Sequence, residues 1–168
     1  MPFPSLPAAF ESALAAQGYK EPTPVQAAVL AEDRGDADLL VSAQTGSGKT
    51  VAFGLSGEDR LGRAAAPLAL VIAPTRELAL QVSRELEWLY KNTGAVVVCC
   101  VGGMDARREA RQLSNGTHIV VGTPGRLRDH MERGNADFSA LRAVVLDEAD
   151  EMLDLGFKDD LEAILEGT

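Results

Sequence analysis

Cysteine is almost missing from this 168-residue chain: two occur, and they are neighbours, Cys99 and Cys100. Neither a disulfide framework nor a four-cysteine zinc site can be built from them. They sit in the apolar run Ala95 to Val101 and read as buried strand thiols. No apolar run approaches the roughly 20 residues of a membrane-spanning helix. The opening MPFPSLPAAF has neither the basic start nor the continuous apolar stretch of a secretory signal. The expected location is therefore the cytoplasm, with no membrane partner. Positive charge is also scarce: 16 Lys and Arg face 25 Asp and Glu, a net charge of −9. Bulk charge alone will not hold such a chain to nucleic acid or anionic lipid, although a local basic strip is compatible with it. Only four of the cations are lysines, which draws attention to Lys49 directly after Gly48. His118 and His130 have no carboxylate or cysteine at metal-ligand spacing and are assigned no role. Arg107, Arg108 and Arg111 read as a solvated helix face.

What is present suffices for one domain: 46% hydrophobic residues with 24% charged can form a core and stay dispersed. Short apolar runs recur at Leu39 to Ala43, Leu68 to Ala73, Ala95 to Val101, His118 to Val121 and Ala143 to Leu146. None alternates with polar residues, as strands covered on both faces do not. Helical segments are expected at Ala8 to Gln17, Pro24 to Glu32, Thr50 to Leu61, Arg76 to Tyr90, Ala106 to Leu113 and Gly125 to Arg133. In the fourth of these, Leu78, Val82, Leu86 and Leu89 share one side. Gly62 to Pro67 reads as a surface loop. Alternating strands and helices predict an α/β fold: a parallel sheet with right-handed crossovers and helices on both faces.

Two motifs carry chemistry. Gly46-Ser47-Gly48-Lys49-Thr50 stands between the first expected strand and a helix. Glycines there let backbone N–H groups turn inward toward phosphate oxygens, and the helix N-terminus adds positive dipole. Lys49 can reach the β and γ phosphates, and the Thr50 hydroxyl can ligate Mg²⁺. The general pattern opens with Gly, where this chain has Ala43. The bland alternative is a Gly-Ser turn with a surface lysine. The second motif is Asp147-Glu148-Ala149-Asp150, at the end of the run Ala143 to Leu146. Open α/β sheets bind ligands at that edge. Asp147 is placed to hold Mg²⁺ through water, and Glu148 to polarise the water that attacks the γ-phosphate. Its bland alternative is an acidic cap for the next helix.

Together the motifs resemble those of the DEAD-box ATP-dependent RNA helicases of bacterial type. AQTGSGKT at 43–50 and DEAD at 147–150 are joined by GYKEPTPVQ at 18–26, which looks like that family's Gln motif. PTREL at 74–78, GG at 102–103 and TPGR at 123–126 resemble its RNA-contacting motifs, in family order. The resemblance covers almost the whole chain and implies a RecA-like P-loop NTPase domain, the first of the two in such a helicase. It implies a Gln-motif lead-in over 1–34 and the domain proper over 35–168. ATP and Mg²⁺ would be the cofactors, and RNA backbone and a second RecA-like domain the partners.

The resemblance also assigns roles. Gln26 reads the adenine edge, with Tyr19 and Phe3 near the base, while Phe10 fits better as a core residue. Thr45, Gly46, Ser47, Gly48, Lys49 and Thr50 surround the phosphates. Thr50 and Asp147 hold the metal, and Lys49, Asp147 and Glu148 are the catalytic set. Pro74, Thr75, Arg76, Gly102, Gly103, Thr123, Pro124, Gly125 and Arg126 contact the RNA sugar-phosphate path. Asp150 couples to the second domain. Thr75 and Thr123 also fit as plain helix caps. The sequence ends at Gly167-Thr168, whereas family members continue with a Ser-Ala-Thr motif on a further strand. That strand usually lies between the phosphate-loop strand and the acidic strand, so a gap in the sheet is expected. The isolated chain is expected to hydrolyse ATP weakly or not at all. Smaller departures are Arg128 and Ser56-Gly57. The competing readings are a DNA translocase and a stand-alone nucleotide-binding module.

Overall fold

The computed structural model describes residues 2–31, 38–44, 46–56 and 67–168. The order of elements is α1 (Ala8–Ala16), α2 (Pro24–Ala31), α3 (Lys49–Ser56), β1 (Ala69–Ile72), α4 (Arg76–Leu89), β2 (Val97–Cys100), α5 (Ala106–Ser114), β3 (Ile119–Gly122), α6 (Pro124–Glu132), β4 (Ala143–Leu146), α7 (Ala149–Asp154) and α8 (Lys158–Glu166). The expected continuations of α2 to Glu32 and α3 to Leu61, Gly57, and the loop 62–66 lie outside the described residues.

Four short Val- and Leu-rich strands pair in the order β2-β3-β1-β4, all parallel. Side chains alternate across the pleat, and each face finds its own layer. Val71 and Ala73 join Phe10, Val51, Leu55, Val82 and Leu86 on one face. Leu70 and Ile72 join Val98, Val120, Leu127, Phe138, Met152 and Ile164 on the other. Helices thus cover both faces, as the uninterrupted apolar strands predict. Phe10 is a core residue: its ring meets Tyr90 edge-on at a centroid distance of 5.0 Å. On α4 the buried stripe runs through Ala79, Val82, Ser83, Leu86 and Leu89. Leu78 is only partly buried, so the stripe begins one position later than its leucine spacing suggests.

One expectation fails. The run Leu39 to Ala43, read as the first buried strand, is not a strand, and Leu40 is 97% exposed. Its backbone finds no neighbour to pair with: β4 ends the sheet, and among the described residues no strand lies beyond it. An apolar segment without a hydrogen-bonding neighbour cannot enter a sheet, however strand-like its composition. A cavity of about 650 Å³ opens instead between this segment and Val25, Ala28 and Val29. β4 also departs from the two-sided burial its sequence suggests, since Val144 and Leu146 stay exposed. The outer edge of β4 and the run 39–43 thus both lack a strand neighbour among the described residues.

Candidate functional site

All four strands are parallel, so their C-terminal ends fall on one edge, where open sheets of this class bind ligands. β1 runs into Pro74-Thr75-Arg76, β2 into Gly102-Gly103, β3 into Thr123-Pro124-Gly125-Arg126, and β4 into Asp147-Glu148.

At the β4 end, Lys49 Nζ donates to Glu148 Oε1 at 3.3 Å, across 99 positions of chain, and to the Ala43 carbonyl at 3.0 Å. The phosphate turn and the acidic strand end therefore meet. Gly46 and Gly48 take positive φ of 82° and 86°, a backbone that side-chain-bearing residues rarely adopt. A Cβ on Gly48 would lie 2.5 Å from Gln26 Nε2, so the second glycine also makes room for the Gln motif. That motif grips the turn directly: Thr23 Oγ1 donates to the Ser47 carbonyl at 2.8 Å and Gln26 Nε2 to the Gly48 carbonyl at 3.2 Å. Gln26 Oε1 accepts from the Thr23 N–H at 2.9 Å, and the side chain is fully buried. Ser47 Oγ is buried without a hydrogen-bond partner among the described residues. An orphaned hydroxyl inside a glycine turn fits a ligand with phosphate oxygens.

Electrostatics at this corner are poised rather than satisfied. Burial pushes the Asp147 carboxyl above its ordinary value; Lys49 pulls it back and Glu148 pushes it further up. A half-buried carboxylate and the hydroxyl of Thr50, which follows Lys49 in α3, are hard-oxygen donors of the kind Mg²⁺ takes, together with phosphate and water. Glu148 is the only non-glycine residue with positive φ among those described, at φ 54° and ψ 51°. Such a backbone costs about 1–2 kcal/mol, and the Lys49 contact helps to hold it. Asp150 is exposed in the first turn of α7.

At the ends of β1, β2 and β3 the remaining motifs converge. Arg76 Nη2 contacts Met104 Sδ at 3.5 Å, and a Cβ on Gly103 would lie 2.9 Å from Arg76 Nη1. Arg126 Nη2 donates to the Met104 carbonyl at 3.3 Å. The two arginines thus flank the loop 102–104, whose glycines are exposed. Thr75 caps α4 by accepting from the Leu78 N–H at 3.2 Å. Thr123 occupies the same position on α6, but its side chain makes no capping bond. Pro74 and Pro124 are buried beneath these turns, and Gly125 is exposed.

Other expectations are placed less centrally. Phe3 and Tyr19 are partly buried against the first core layer, and Tyr19 stacks on Trp88 at 5.7 Å. Thr45 lies outside the described residues. Arg107, Arg108 and Arg111 are exposed, as a solvated face should be. Arg128 pairs with Glu132 and Asp160, a surface role. Of the thiols, Cys100 is buried but Cys99 only partly, and burial pushes Cys99 up to about 11. Two residues were missed: Glu109, buried under Arg126, and its partner His130. The signal for His130 was its i+4 spacing from Arg126 on one helix face. The signal for Glu109 was its place on the Ala106, Ala110 and Leu113 side of α5, four positions before the buried Leu113.

The family model described as DEAD/DEAH box helicase matches residues 23–168. The chain belongs to this family. It is 45% identical to the DEAD-box ATP-dependent RNA helicase CshA of Bacillus licheniformis over 154 residues, which is 91% of this chain and 32% of that protein. Against the CshA of Geobacillus kaustophilus the identity is 47% over 158 residues, covering 91% of this chain and 33% of the relative. The chain thus spans about a third of the length of these curated relatives. Among solved structures it resembles a hypothetical ATP-dependent RNA helicase from Sulfolobus tokodaii, with TM-score 0.87 and 34% identity, covering 97% of this chain and 47% of that one. A DEAD box protein from Methanococcus jannaschii matches with TM-score 0.86 and 34% identity, over 98% of this chain and 45% of that one. The parallel sheet and its helices are therefore those of a DEAD-box RecA-like domain. No helix among the described residues is long and apolar enough to cross a membrane.

Proposed function

We propose that this DEAD-box domain is the ATP-binding half of an ATP-dependent RNA helicase. It binds ATP at the glycine turn and single-stranded RNA along the ends of β1, β2 and β3. The observation that carries this reading is the meeting of Lys49 with Glu148 at 3.3 Å, beside a glycine turn with an orphaned Ser47 hydroxyl.

Each residue then has a physical task. The turn 46–48 offers backbone N–H groups to the phosphates, and Lys49 leaves Ala43 and Glu148 to neutralise the γ-phosphate. Once released, Glu148 orients a water for in-line attack. Thr50 and Asp147 would hold Mg²⁺, which when bound neutralises charge building on the transferring phosphoryl group. Gln26 exchanges its Gly48 bond for the adenine edge, where an amide can pair with N6 and N7, and Tyr19 and Phe3 lie toward the base. Thr123, Arg76, Arg126 and the Gly102-Gly103 backbone grip phosphates and sugars, contacts that carry no base sequence. A few placed groups achieve this despite the net charge of −9. A second RecA-like domain, contacted by Asp150, would complete both sites, and closure of the pair over RNA would strain a short duplex. Residues 1–34 would serve as the Gln-motif lead-in to the domain at 35–168. The cytoplasm is the compartment this activity needs.

The test is equilibrium binding of a fluorescent mant-ATP with and without Mg²⁺. Affinity should depend on Mg²⁺ and fall about a hundredfold in Lys49→Ala, the worth of one or two charge-assisted phosphate contacts. Undiminished binding by Lys49→Ala would remove the nucleotide reading, and equal competition by GTP would remove the role of Gln26.

A further inference from the structure

α5 exposes Arg107, Arg108 and Arg111 but turns Glu109 inward, to 3% exposure. The Glu109 carboxylate accepts from three donors, one just past β2 and two on α6. Oε2 takes the Val101 N–H at 3.3 Å, just past β2. Oε1 takes Arg126 Nη1 at 3.3 Å and His130 Nε2 at 2.8 Å, both on α6. Asn135 Nδ2 donates to His130 Nδ1 at 3.2 Å. With Nδ1 accepting, the ring carries its proton on Nε2 and aims it at Glu109. Arg126 is fastened at its other end by the Nη2 bond to the Met104 carbonyl.

We propose that Glu109 is a positioning residue for RNA. It pins the stem of the loop 102–104 and the Arg126 guanidinium into one phosphate-gripping surface before RNA arrives. The inference deepens the RNA reading above and rests on it. The physical gain is preorganisation. A free arginine loses considerable rotamer freedom on meeting a phosphate, whereas a clamped one has already lost it in folding. Arg126 spends one hydrogen from each Nη on the clamp and keeps its other donors for phosphate. The carboxylate can be buried because every bond it makes is to a donor.

Cys100, Glu109 and His130 also bring their ligand atoms within 4.8 Å of one another. A metal there would have to break three existing bonds to Glu109, and burial holds the Cys100 thiol far above its ordinary value, against thiolate formation. The cluster is a hydrogen-bond hub.

Glu109→Gln is isosteric, yet all three partners are donors, so its amide NH₂ must face either Val101 or the Arg126–His130 pair. At least one anchor is lost whichever way it turns. The experiment measures the anisotropy of a fluorescein-labelled single-stranded oligouridylate with the parent chain, Glu109→Gln, Arg126→Ala and the double variant. Mant-ATP affinity in Glu109→Gln serves as the control for an intact fold. RNA affinity should fall about tenfold in Glu109→Gln, the worth of one charge-assisted bond, with mant-ATP affinity unchanged. In the Arg126→Ala background the same substitution should add little, because Glu109 acts largely through that arginine. If Arg126→Ala binds RNA like the parent, the RNA reading itself fails. If Arg126→Ala weakens binding while Glu109→Gln does not, or if the two losses simply add, positioning by Glu109 is overturned and the RNA reading stands.

Discussion

The two ends of the ligand-binding edge are built differently. Where β1, β2 and β3 end, side chains are wired to one another. Arg126, Val101 and His130 are joined through the buried Glu109 carboxylate, and Arg126 in turn holds the Met104 carbonyl. Where β4 ends, the bonds are provisional. Lys49 holds Glu148 in a left-handed backbone, Gln26 holds the Gly48 carbonyl, Asp147 is pushed toward its protonated form, and Ser47 Oγ has no partner among the described residues. A phosphate could take over Lys49 and the Ser47 hydroxyl, an adenine edge could take Gln26, and a cation could take Asp147. The difference teaches where the molecule stores its response. On the proposed function, the nucleotide corner would have to rearrange to bind, and the RNA corner would be ready beforehand.

The largest effect should come from disturbing the wired corner. Gly122 closes β3 beside Cys100, where a Cβ would lie 2.6 Å from the Cys100 carbonyl and 2.7 Å from Leu127. The sheet backbone and α6 have no space for it. Gly122→Ala should therefore destabilise the chain by about 2–3 kcal/mol, read as a lower urea midpoint at unchanged m-value. A neutral substitution would mean that the corner is loosely packed and the contrast is wrong. Gly48→Ala, at the provisional corner, should act on binding more than on stability. The turn's φ of 86° and the 2.5 Å approach of Gln26 penalise any Cβ by about 1–3 kcal/mol, but a glycine turn can relax by giving up its shape. Mant-ATP affinity should drop about tenfold with a smaller change in urea midpoint than Gly122→Ala gives. A larger midpoint change would invert the comparison.

Most of this edge was legible in the sequence because its parts are local. A glycine turn before a helix, threonine and proline after a strand, and carboxylates after an apolar run each report their own backbone. What was not legible is pairing. Leu39 to Ala43 has the composition of a buried strand, yet strand formation needs a neighbour that composition does not supply, and Leu40 stands in the open. The exposed Val144 and Leu146 follow from the same vacancy. The Glu109 hub was hidden for a related reason. On a helix carrying three exposed arginines a glutamate reads as one more surface charge, and only the fold shows that Val101, Arg126 and His130 surround it. The one-position shift from Leu78 to Ala79 on α4 is a packing choice between two residues that both suit an apolar stripe.

A smaller effect sharpens the nucleotide corner. Burial raises the Asp147 carboxyl, so the folded state binds this proton more tightly than the unfolded chain does. The resulting stabilisation is fully present below the ordinary aspartate value and is lost as pH rises through the raised one. At neutral pH Asp147 therefore weakens the fold, and Asp147→Asn should raise Tm by on the order of 2 °C. The gain should vanish in acid, while Mg²⁺-dependent mant-ATP binding declines. A lower Tm at pH 7 would show that attraction to Lys49 outweighs burial and that the corner is satisfied after all.

The smallest effect isolates the backbone of Glu148. Replacing it alone mixes two terms, because the Lys49 ion pair is lost together with the left-handed strain. Such a partly exposed pair is worth about 0–1 kcal/mol, close to the gain expected from relieving the backbone. The Lys49→Ala background removes the pair first. In that background Glu148→Asn should raise stability by about 0.5 kcal/mol, since asparagine enters the left-handed region more easily than glutamate. In the parent chain the same substitution should yield less, and the difference between the two backgrounds measures what Lys49 contributes by holding Glu148. A loss of stability in both would mean that the bent backbone at the β4 end is at rest, leaving the Ser47 hydroxyl, without a partner among the described residues, and the half-buried Asp147 to account for the tension at that corner.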